Sequence, residues 1–142
     1  MSDCLFCDII EGKVPASIVY SDEAVVAFMD IQPVNKGHVL VVPRLHSTSL
    51  AEMDSLEASA CMVVAQKVAE ALRASNLRCE GVNLFLADGE AAGQEIFHVH
   101  LHVFPRFAND GFGLTFSDEY GNLPPRSDLD EVAAEIRQLL EK

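Results

Sequence analysis

Residues 97–104, FHVHLHVF, place a histidine at every second position, at His98, His100 and His102. Because successive side chains of a β-strand point to opposite faces, this alternation predicts a strand with all three imidazoles on one face. The other face would pack against the core through Val99, Leu101 and Val103. A single histidine on a strand is usually an ordinary half-buried polar residue, whereas three in strict alternation indicate a functional site.

Two chemistries suit such a row of imidazoles. Imidazoles at alternate positions can chelate one metal ion, and a neutral imidazole can attack an electrophile while its neighbours hold the developing charge. The preceding loop, Asp88–Gln94, contains Gly89 and Gly93, which allow close backbone approach to a ligand and an anion-binding nest of N–H groups. The loop favours a phosphate over a bare metal site, and both readings stay open.

The length and charge of the chain limit the classes of partner. A chain of 142 residues predicts a single domain spanning residues 1–142. A net charge of -12 argues against binding a nucleic acid polymer, which requires a basic surface. A small phosphorylated ligand held by backbone amides remains compatible with this charge.

The N-terminal segment and the cysteines indicate the compartment. No apolar run is long enough to span a bilayer and no secretory signal is visible, so we expect a cytoplasmic protein without a membrane partner. In a reducing compartment, the Cys4–Cys7 CxxC pair is more often a metal chelate or redox pair than a structural disulfide. Cys61 and Cys79 are interpreted as ordinary thiols.

Residue patterns predict an α+β fold. A short helix is expected over residues 3–11 and a C-terminal helix after Pro125. A capping box at Ser49–Glu52 predicts the start of a long amphipathic helix. Strands are expected over Ala24–Asp30, Gly37–Val42 and Gly81–Ala87, in addition to the histidine strand. Strands joined by short turns indicate an antiparallel sheet with helices packed on one face.

The segment GQEIFHVHLHVFPR resembles the histidine triad motif of the histidine triad (HIT) nucleotide-binding superfamily, and residues 4–46 resemble the N-terminal half of that family. The resemblance implies a five-stranded antiparallel sheet with a long helix and a C-terminal helix. It also implies a homodimer with a ten-stranded sheet. The implied activity is hydrolysis or transfer at the α-phosphate of purine nucleotide conjugates, through a nucleotidyl-histidine intermediate.

The resemblance assigns catalytic roles to three histidines. The middle histidine of the motif, His100, would be the nucleophile, and its attacking nitrogen must be unprotonated. His102 would donate a hydrogen bond to the phosphate, and His38 would lie beside the triad. Without the resemblance, His38 could equally be a surface histidine at the start of a strand.

The resemblance also assigns a nucleotide-binding site. Asp30 would accept hydrogen bonds from the ribose hydroxyls. The phosphate or leaving group would lie near Gly93, Gln94 and Glu95. The positions expected to line the base pocket are apolar, and some of them also suit core packing: Leu5, Phe6, Ile9, Phe28 and Ile31.

A second set of residues matches the zinc site of metal-bearing family members: Cys4, Cys7, His46 and His98. Two thiolates and two imidazoles form a closed tetrahedral site, which is structural rather than catalytic. The competing interpretation is an idle CxxC pair without metal.

Two positions depart from the family pattern. Many members have Asn where this chain has Ala87, followed here by Asp88, and Ser or Thr where it has Glu95. Because a carboxylate repels a phosphate, we hypothesise that Glu95 favours a cationic leaving group, such as an aminoacyl or amine phosphoramidate.

The leading hypothesis is a nucleoside phosphoramidase or related nucleotide hydrolase. A dinucleoside polyphosphate hydrolase is a variant compatible with Pro105-Arg106. A different class is a metal-dependent hydrolase with His98, His100 and His102 as ligands. A catalytically weak nucleotide-binding protein is favoured by the departures at Ala87 and Glu95.

Overall fold

The computed structural model describes residues 3–142, which divide into two compact units. The first unit ends at Gly111, and the second comprises Phe112–Lys142. Each unit is described separately, and the single domain expected over residues 1–142 stays a prediction.

The first unit contains two α-helices and five strands. The helices are α1 (Leu5–Ile10) and α2 (Ser55–Ala74). The strands are β1 (Ile18–Ser21), β2 (Val25–Met29), β3 (Val39–Pro43), β4 (Gly81–Phe85) and β5 (Leu101–Arg106). Single turns of 3-10 helix occur at Leu50–Glu52 and Glu90–Ala92.

The five strands form one antiparallel sheet in the order β1-β2-β3-β5-β4. The predicted five-stranded α+β architecture is therefore confirmed, although the residue pattern had not indicated β1. The register places His102 opposite Leu40 on β3 and opposite Phe85 on β4. The last histidine of the motif thus lies on an interior strand of the sheet.

Helices cover both faces of the sheet, so the expectation of helices on one face was wrong. The long helix α2 packs against Val25, Val41 and Val103. The short helix α1 packs its Phe6 against the alternate residues of β2 and β3, which point to the opposite face. The reason lies in the sequence of these two central strands, which is apolar at successive positions and needs cover on both sides.

The start of α2 differs from the predicted capping box. Ser49 makes no capping hydrogen bond, and the Glu52 carboxylate instead accepts from the backbone N–H and hydroxyl of Thr48 at 3.0 and 2.9 Å. Asp54 is the N-cap, accepting from Leu56 N–H at 2.8 Å. Met53 has an extended backbone, so the helix cannot continue from the preceding turn.

The histidine strand is also shorter than predicted, because β5 begins only at Leu101. His98 and His100 precede it in a segment tied to its neighbours by a hydrogen bond from Val99 N–H to Ser47 O at 2.8 Å. This segment leads directly from the glycine loop into the sheet. Two of the three motif histidines therefore lie outside regular structure.

The second unit contains a 3-10 turn at Asp118–Gly121 and helix α3 (Arg126–Leu140), which confirms the C-terminal helix. The apolar side chains of α3 are exposed: Leu129, Val132, Ile136, Leu139 and Leu140. No helix within residues 3–142 has both the length and the apolar character needed to cross a bilayer.

Candidate active site

The three motif histidines contact three different sets of partners. His98 faces a pair of thiols, His100 bonds to the backbone, and His102 bonds to His38. The three rings therefore do not share one ligand. Although the three histidines alternate along one segment, each imidazole makes a different set of contacts.

His98 joins Cys4, Cys7 and His46 in what we call the thiol cluster. Its Nδ1 lies 3.3 Å from the Sγ of Cys4, 3.5 Å from the Sγ of Cys7 and 3.3 Å from the Nδ1 of His46. The Cys7 Sγ is 3.5 Å from His46 Nδ1. Ligands at about 2.0–2.3 Å around a tetrahedral ion are separated by about 3.3–3.8 Å. The four residues can therefore hold one metal ion.

The protonation of the residues in the thiol cluster also suits the binding of a metal ion. His98 Nε2–H donates to the Pro43 carbonyl at 2.8 Å, which leaves a lone pair on Nδ1 facing the thiols. The pKa of the Cys7 thiol is raised to about 11 by burial and by the adjacent Cys4. A cation between these groups would offset both the crowded lone pairs and the cost of forming thiolates.

His100 presents an unprotonated nitrogen. Its Nδ1–H donates to the backbone carbonyl of His98 at 2.7 Å. In a neutral imidazole, the other nitrogen, Nε2, then carries a lone pair and no proton. Burial lowers the pKa of His100, so the ring is neutral at pH 7. This is the protonation state that an imidazole nucleophile requires.

His102 is held in the opposite tautomer by a chain of hydrogen bonds. Val34 N–H donates to His38 Nδ1 at 3.0 Å, so His38 Nε2 carries the proton and donates to His102 Nδ1 at 2.9 Å. His102 therefore carries its own proton on Nε2. Burial and the neighbouring His100 and His38 lower the pKa of His102 to about 4, so at pH 7 it is a neutral hydrogen-bond donor.

Asp30 lies beside this histidine pair. One carboxylate oxygen, Oδ1, accepts from Gln32 N–H at 2.8 Å. The other, Oδ2, lies 3.5 Å from His38 Nε2 and 3.9 Å from His102 Nδ1. These three side chains are close enough to hold a metal ion. However, His38 can bind a metal through Nε2 only by losing the proton that the Val34 hydrogen bond keeps there.

The hypothesis of a metal-dependent hydrolase using the three motif histidines is therefore wrong. Among the described residues, the groups that can hold a metal contain His98 in one case and His102 in another, and neither contains His100. His100 instead uses Nδ1–H to donate to the His98 carbonyl at 2.7 Å.

The apolar residues predicted for the base pocket fall into two sets. Phe6, Ile9 and Phe28 belong to one cluster, and the rings of Phe6 and Phe28 meet edge to face at 5.4 Å. Leu5 and Ile31 are exposed, Ile31 almost completely, and both remain available to a ligand. The first set forms part of the core, and a base-binding role for all five stays a prediction.

The glycine loop is closed by its own hydrogen bonds. Gly89 N–H donates to the Gln94 side-chain oxygen at 2.8 Å, and Gln94 Nε2 donates to the Thr48 carbonyl at 2.9 Å. Gly93 N–H donates to Glu90 O and Gln94 N–H to Gly89 O. These N–H groups are engaged, so the anion nest expected from Gly89 and Gly93 does not form from them. Nucleotide contacts by Gly93 and Gln94 stay predictions.

The two departures from the family pattern have different surroundings. Ala87 is buried, and the carboxylate of Asp88 accepts from Leu50 N–H at 2.9 Å, so Asp88 does not replace the missing polar side chain. Glu95 is exposed.

Arg106 follows the proline that was interpreted as compatible with a polyphosphate hydrolase. Its guanidinium donates hydrogen bonds to the Asp110 carboxylate at 2.6 and 2.9 Å and to Asn83 Oδ1 at 2.7 Å.

Sequence reasoning missed two groups beside the histidines. The exposed Phe85 ring contacts His102 edge to face at 5.7 Å. The backbone N–H of Val34 fixes the tautomer of His38. Phe85 could have been identified from an aromatic residue near the end of a predicted strand. The Val34 contact has no sequence signal, because every residue type except proline supplies a backbone N–H.

Comparison with known proteins gives a consistent result. The HIT domain model matches residues 11–109. An uncharacterized HIT-like protein of Methanocaldococcus jannaschii is 44% identical over 94% of this chain and 98% of the relative.

Two solved structures share the fold. A HIT family protein from Bacillus anthracis has a TM-score of 0.88 and 38% identity, covering 96% of both chains. A Zn-bound histidine triad family protein from Mycobacterium smegmatis has a TM-score of 0.76 and 37% identity, covering 82% of this chain and 84% of the other. The chain thus belongs to the HIT family, whose members are nucleotide-binding hydrolases or transferases.

Proposed function

We propose that the protein is a nucleotide hydrolase or transferase that cleaves purine nucleoside phosphoramidates, or similar conjugates, at the α-phosphate. The observation that carries the proposal is the tautomer of His100, whose Nδ1–H bond to the His98 carbonyl leaves Nε2 with a lone pair. The neighbouring His102 ring, centred 4.9 Å away, has the opposite tautomer and presents an N–H donor. A nucleophile beside a neutral donor suits attack on a phosphoryl group.

The proposed reaction has two displacements. The Nε2 lone pair of His100 forms a bond to the α-phosphorus while the bond from phosphorus to the leaving group breaks, and the amine leaves with the bonding electron pair and takes up a proton from solvent. His102 Nε2–H stabilises the charge on the phosphoryl oxygens or on the leaving group. Water or another acceptor then attacks phosphorus, the bond to His100 breaks, and a proton from the water is released. His100 returns to its neutral form.

Asp30 and the apolar residues near α1 would hold the nucleoside. Oδ2 of Asp30 has its nearest imidazole nitrogen at 3.5 Å, longer than an ordinary hydrogen bond, and suits a ribose hydroxyl. The exposed side chains of Leu5 and Ile31 would contact the base. The exposed Glu95 would favour a cationic leaving group over a polyphosphate.

Zinc is the metal we propose for the thiol cluster. A set of two thiolates and two imidazoles is typical of structural zinc sites, and the zinc-bound relative from M. smegmatis supports the choice. Bound there, zinc would cross-link α1 to the segment before β5. Reduced thiols are consistent with the cytoplasmic location that we propose.

A homodimer is the oligomeric state we propose. β4 pairs only with β5, so its other edge is open among the described strands, and Leu84 and Phe85 are exposed there. Helix α2, which contacts β4, also exposes Met62 and Val63. A second β4 would cover this edge and complete a ten-stranded sheet.

Analytical ultracentrifugation tests the dimer. The wild type should sediment as a dimer, and Met62→Glu should dimerise more weakly. A monomeric wild type would contradict the proposal.

The decisive experiment is to mix the protein with a fluorogenic adenosine phosphoramidate, quench with acid and measure the intact mass. We expect an adduct of one adenylate in the wild type. His100→Asn should show no adduct and a loss of turnover of about 10⁴-fold or more. Its melting temperature and metal content should match the wild type. Undiminished cleavage by His100→Asn would contradict the mechanism, and tight binding of adenosine monophosphate without turnover would favour a binding protein.

A further inference from the structure

One residue, His98, connects the thiol cluster to the proposed nucleophile. Its ring faces the two cysteines, while its backbone carbonyl accepts the hydrogen bond that fixes the tautomer of His100. We propose that metal binding at the thiol cluster positions His100 for catalysis, in addition to stabilising the fold. This inference rests on the proposed role of His100 as the nucleophile.

The connection is short and its parts are tightly held. His98 is completely buried, and its Nε2–H is anchored on the Pro43 carbonyl at 2.8 Å. With Nδ1 on a metal, both ring nitrogens would be fixed, and with them the orientation of the residue that carries the acceptor carbonyl. The hydrogen bond from His100 Nδ1–H to that carbonyl is 2.7 Å long. A displacement of a few tenths of an ångström at His98 therefore reaches His100 directly.

A second contact runs through helix α1. Phe6 lies between the two cysteines, and its ring meets that of His100 edge to face at 4.9 Å. The same ring packs against Phe28 at 5.4 Å, which joins α1 to the sheet. Because Cys4 caps α1 by accepting from Cys7 N–H at 3.4 Å, the ligand pair also sets the position of this helix. The nucleophile is thus contacted by two groups attached to the thiol cluster.

Loss of the metal from the thiol cluster is expected to change the tautomer of His100. Which imidazole nitrogen carries the proton is set by the hydrogen bond that the other nitrogen makes. If the bond to the His98 carbonyl weakens, the form with a proton on Nε2 becomes populated, and this form cannot attack phosphorus. His102 provides an internal reference, because its tautomer is set by His38 and Val34, which lie outside the thiol cluster.

The test uses NMR of protein labelled with ¹⁵N-histidine, with and without zinc, at pH 7. In the zinc-loaded wild type, His100 should show a protonated Nδ1 and an unprotonated Nε2. Removing zinc, or the variant Cys7→Ser, should mix the two tautomers of His100 while His102 keeps its proton on Nε2. In parallel, kcat should fall about 10-fold to 100-fold with little change in KM.

Matched variants separate this effect from loss of the fold. Cys79→Ser replaces a half-buried thiol that donates to Gly81 O and should leave zinc content, tautomers and kcat unchanged. His46→Ala removes the exposed ligand without altering α1, and it serves if Cys7→Ser fails to fold. A zinc-free protein with native amide dispersion, an unchanged His100 tautomer and unchanged kcat would overturn the inference. Because the NMR signature is read on the free protein, it tests the inference even if the wild type cleaves no phosphoramidate.

Discussion

The thiol cluster around His98 and the histidine pair His38–His102 lie at opposite ends of one five-residue segment, and each brings together donors that could bind a metal. Their protons are placed differently. At His98 the Pro43 carbonyl takes the proton on Nε2 and leaves a lone pair toward the thiols. At His38 the Val34 N–H occupies the lone pair and leaves a proton toward His102. A single backbone group therefore decides whether an imidazole presents a lone pair or a proton to its neighbours.

Of the changes that test this difference, removing zinc from the thiol cluster should have the largest effect on stability. Cys4→Ser should lose bound zinc, and a chelator should lower the free energy of unfolding of the wild type by about 4 kcal/mol or more, the value for a ligand at about 1,000 times its Kd. His38→Asn should keep one zinc per chain. Zinc content by mass spectrometry and thermal unfolding check both results. Loss of zinc from His38→Asn, but not from Cys4→Ser, would reverse the assignment of the two clusters.

Removing the donor of the histidine pair should affect turnover without affecting the metal. His102→Gln should lower kcat about 10²-fold to 10³-fold, because a preorganised donor to the phosphoryl group is lost. Steady-state kinetics and zinc analysis measure the two properties on the same sample. Unchanged kcat in a folded, zinc-loaded variant would show that His102 does not contact the reacting groups.

Acid should weaken the fold through the histidine pair. Burial lowers the pKa of His38 and lowers that of His102 to about 4, whereas unfolded histidine titrates near 6.5. As the pH falls below 6.5, the unfolded state binds protons first. The stabilisation from neutral His102 is therefore complete above pH 6.5 and is lost progressively down to about pH 4.

The contribution of His102 can be isolated by difference. Between pH 6.5 and 4 the wild type should lose about 1–3 kcal/mol more stability than His102→Gln. Urea unfolding at several pH values measures this difference. Parallel stability curves for the two proteins would show that His102 titrates normally in the folded state. Zinc content at each pH must be equal in the two proteins.

The smallest expected effect concerns the glycine loop. Glu95→Ser should reduce the preference for a lysyl phosphoramidate over a polyphosphate leaving group about threefold to fivefold, since exposed charge pairs contribute up to about 1 kcal/mol. Glu90→Ser, which changes an exposed glutamate inside the glycine loop five residues before Glu95, is the matched control and should have less effect. Equal effects of Glu95→Ser on both leaving groups would remove the hypothesis.

Much of the architecture follows from the residue pattern. The apolar runs of β2 and β3 and the periodicity of α2 and α3 are local properties, and the structure confirms each element near its predicted position. Besides the missed strand β1 and the helix on the second face of the sheet, the errors lie at boundaries. The start of α2 moved because Asp54 competed successfully with Ser49 as the N-cap, and the start of β5 moved because backbone pairing begins only at Leu101.

For the site, local patterns in the sequence determined only that three histidines alternate along one segment and that two thiols lie one helical turn apart. His98 is 94 residues from Cys4 and His102 is 64 residues from His38, so their meeting was implied by the family resemblance and brought about by the tertiary structure. Only the tertiary structure decided the protonation of each ring. That choice depends on where the fold places backbone groups: Pro43 O at His98, His98 O at His100, and Val34 N–H at His38, whose ring in turn sets the tautomer of His102. Because nearly every residue carries the same backbone groups, the pattern of side chains does not predict which of them will bond to a given imidazole.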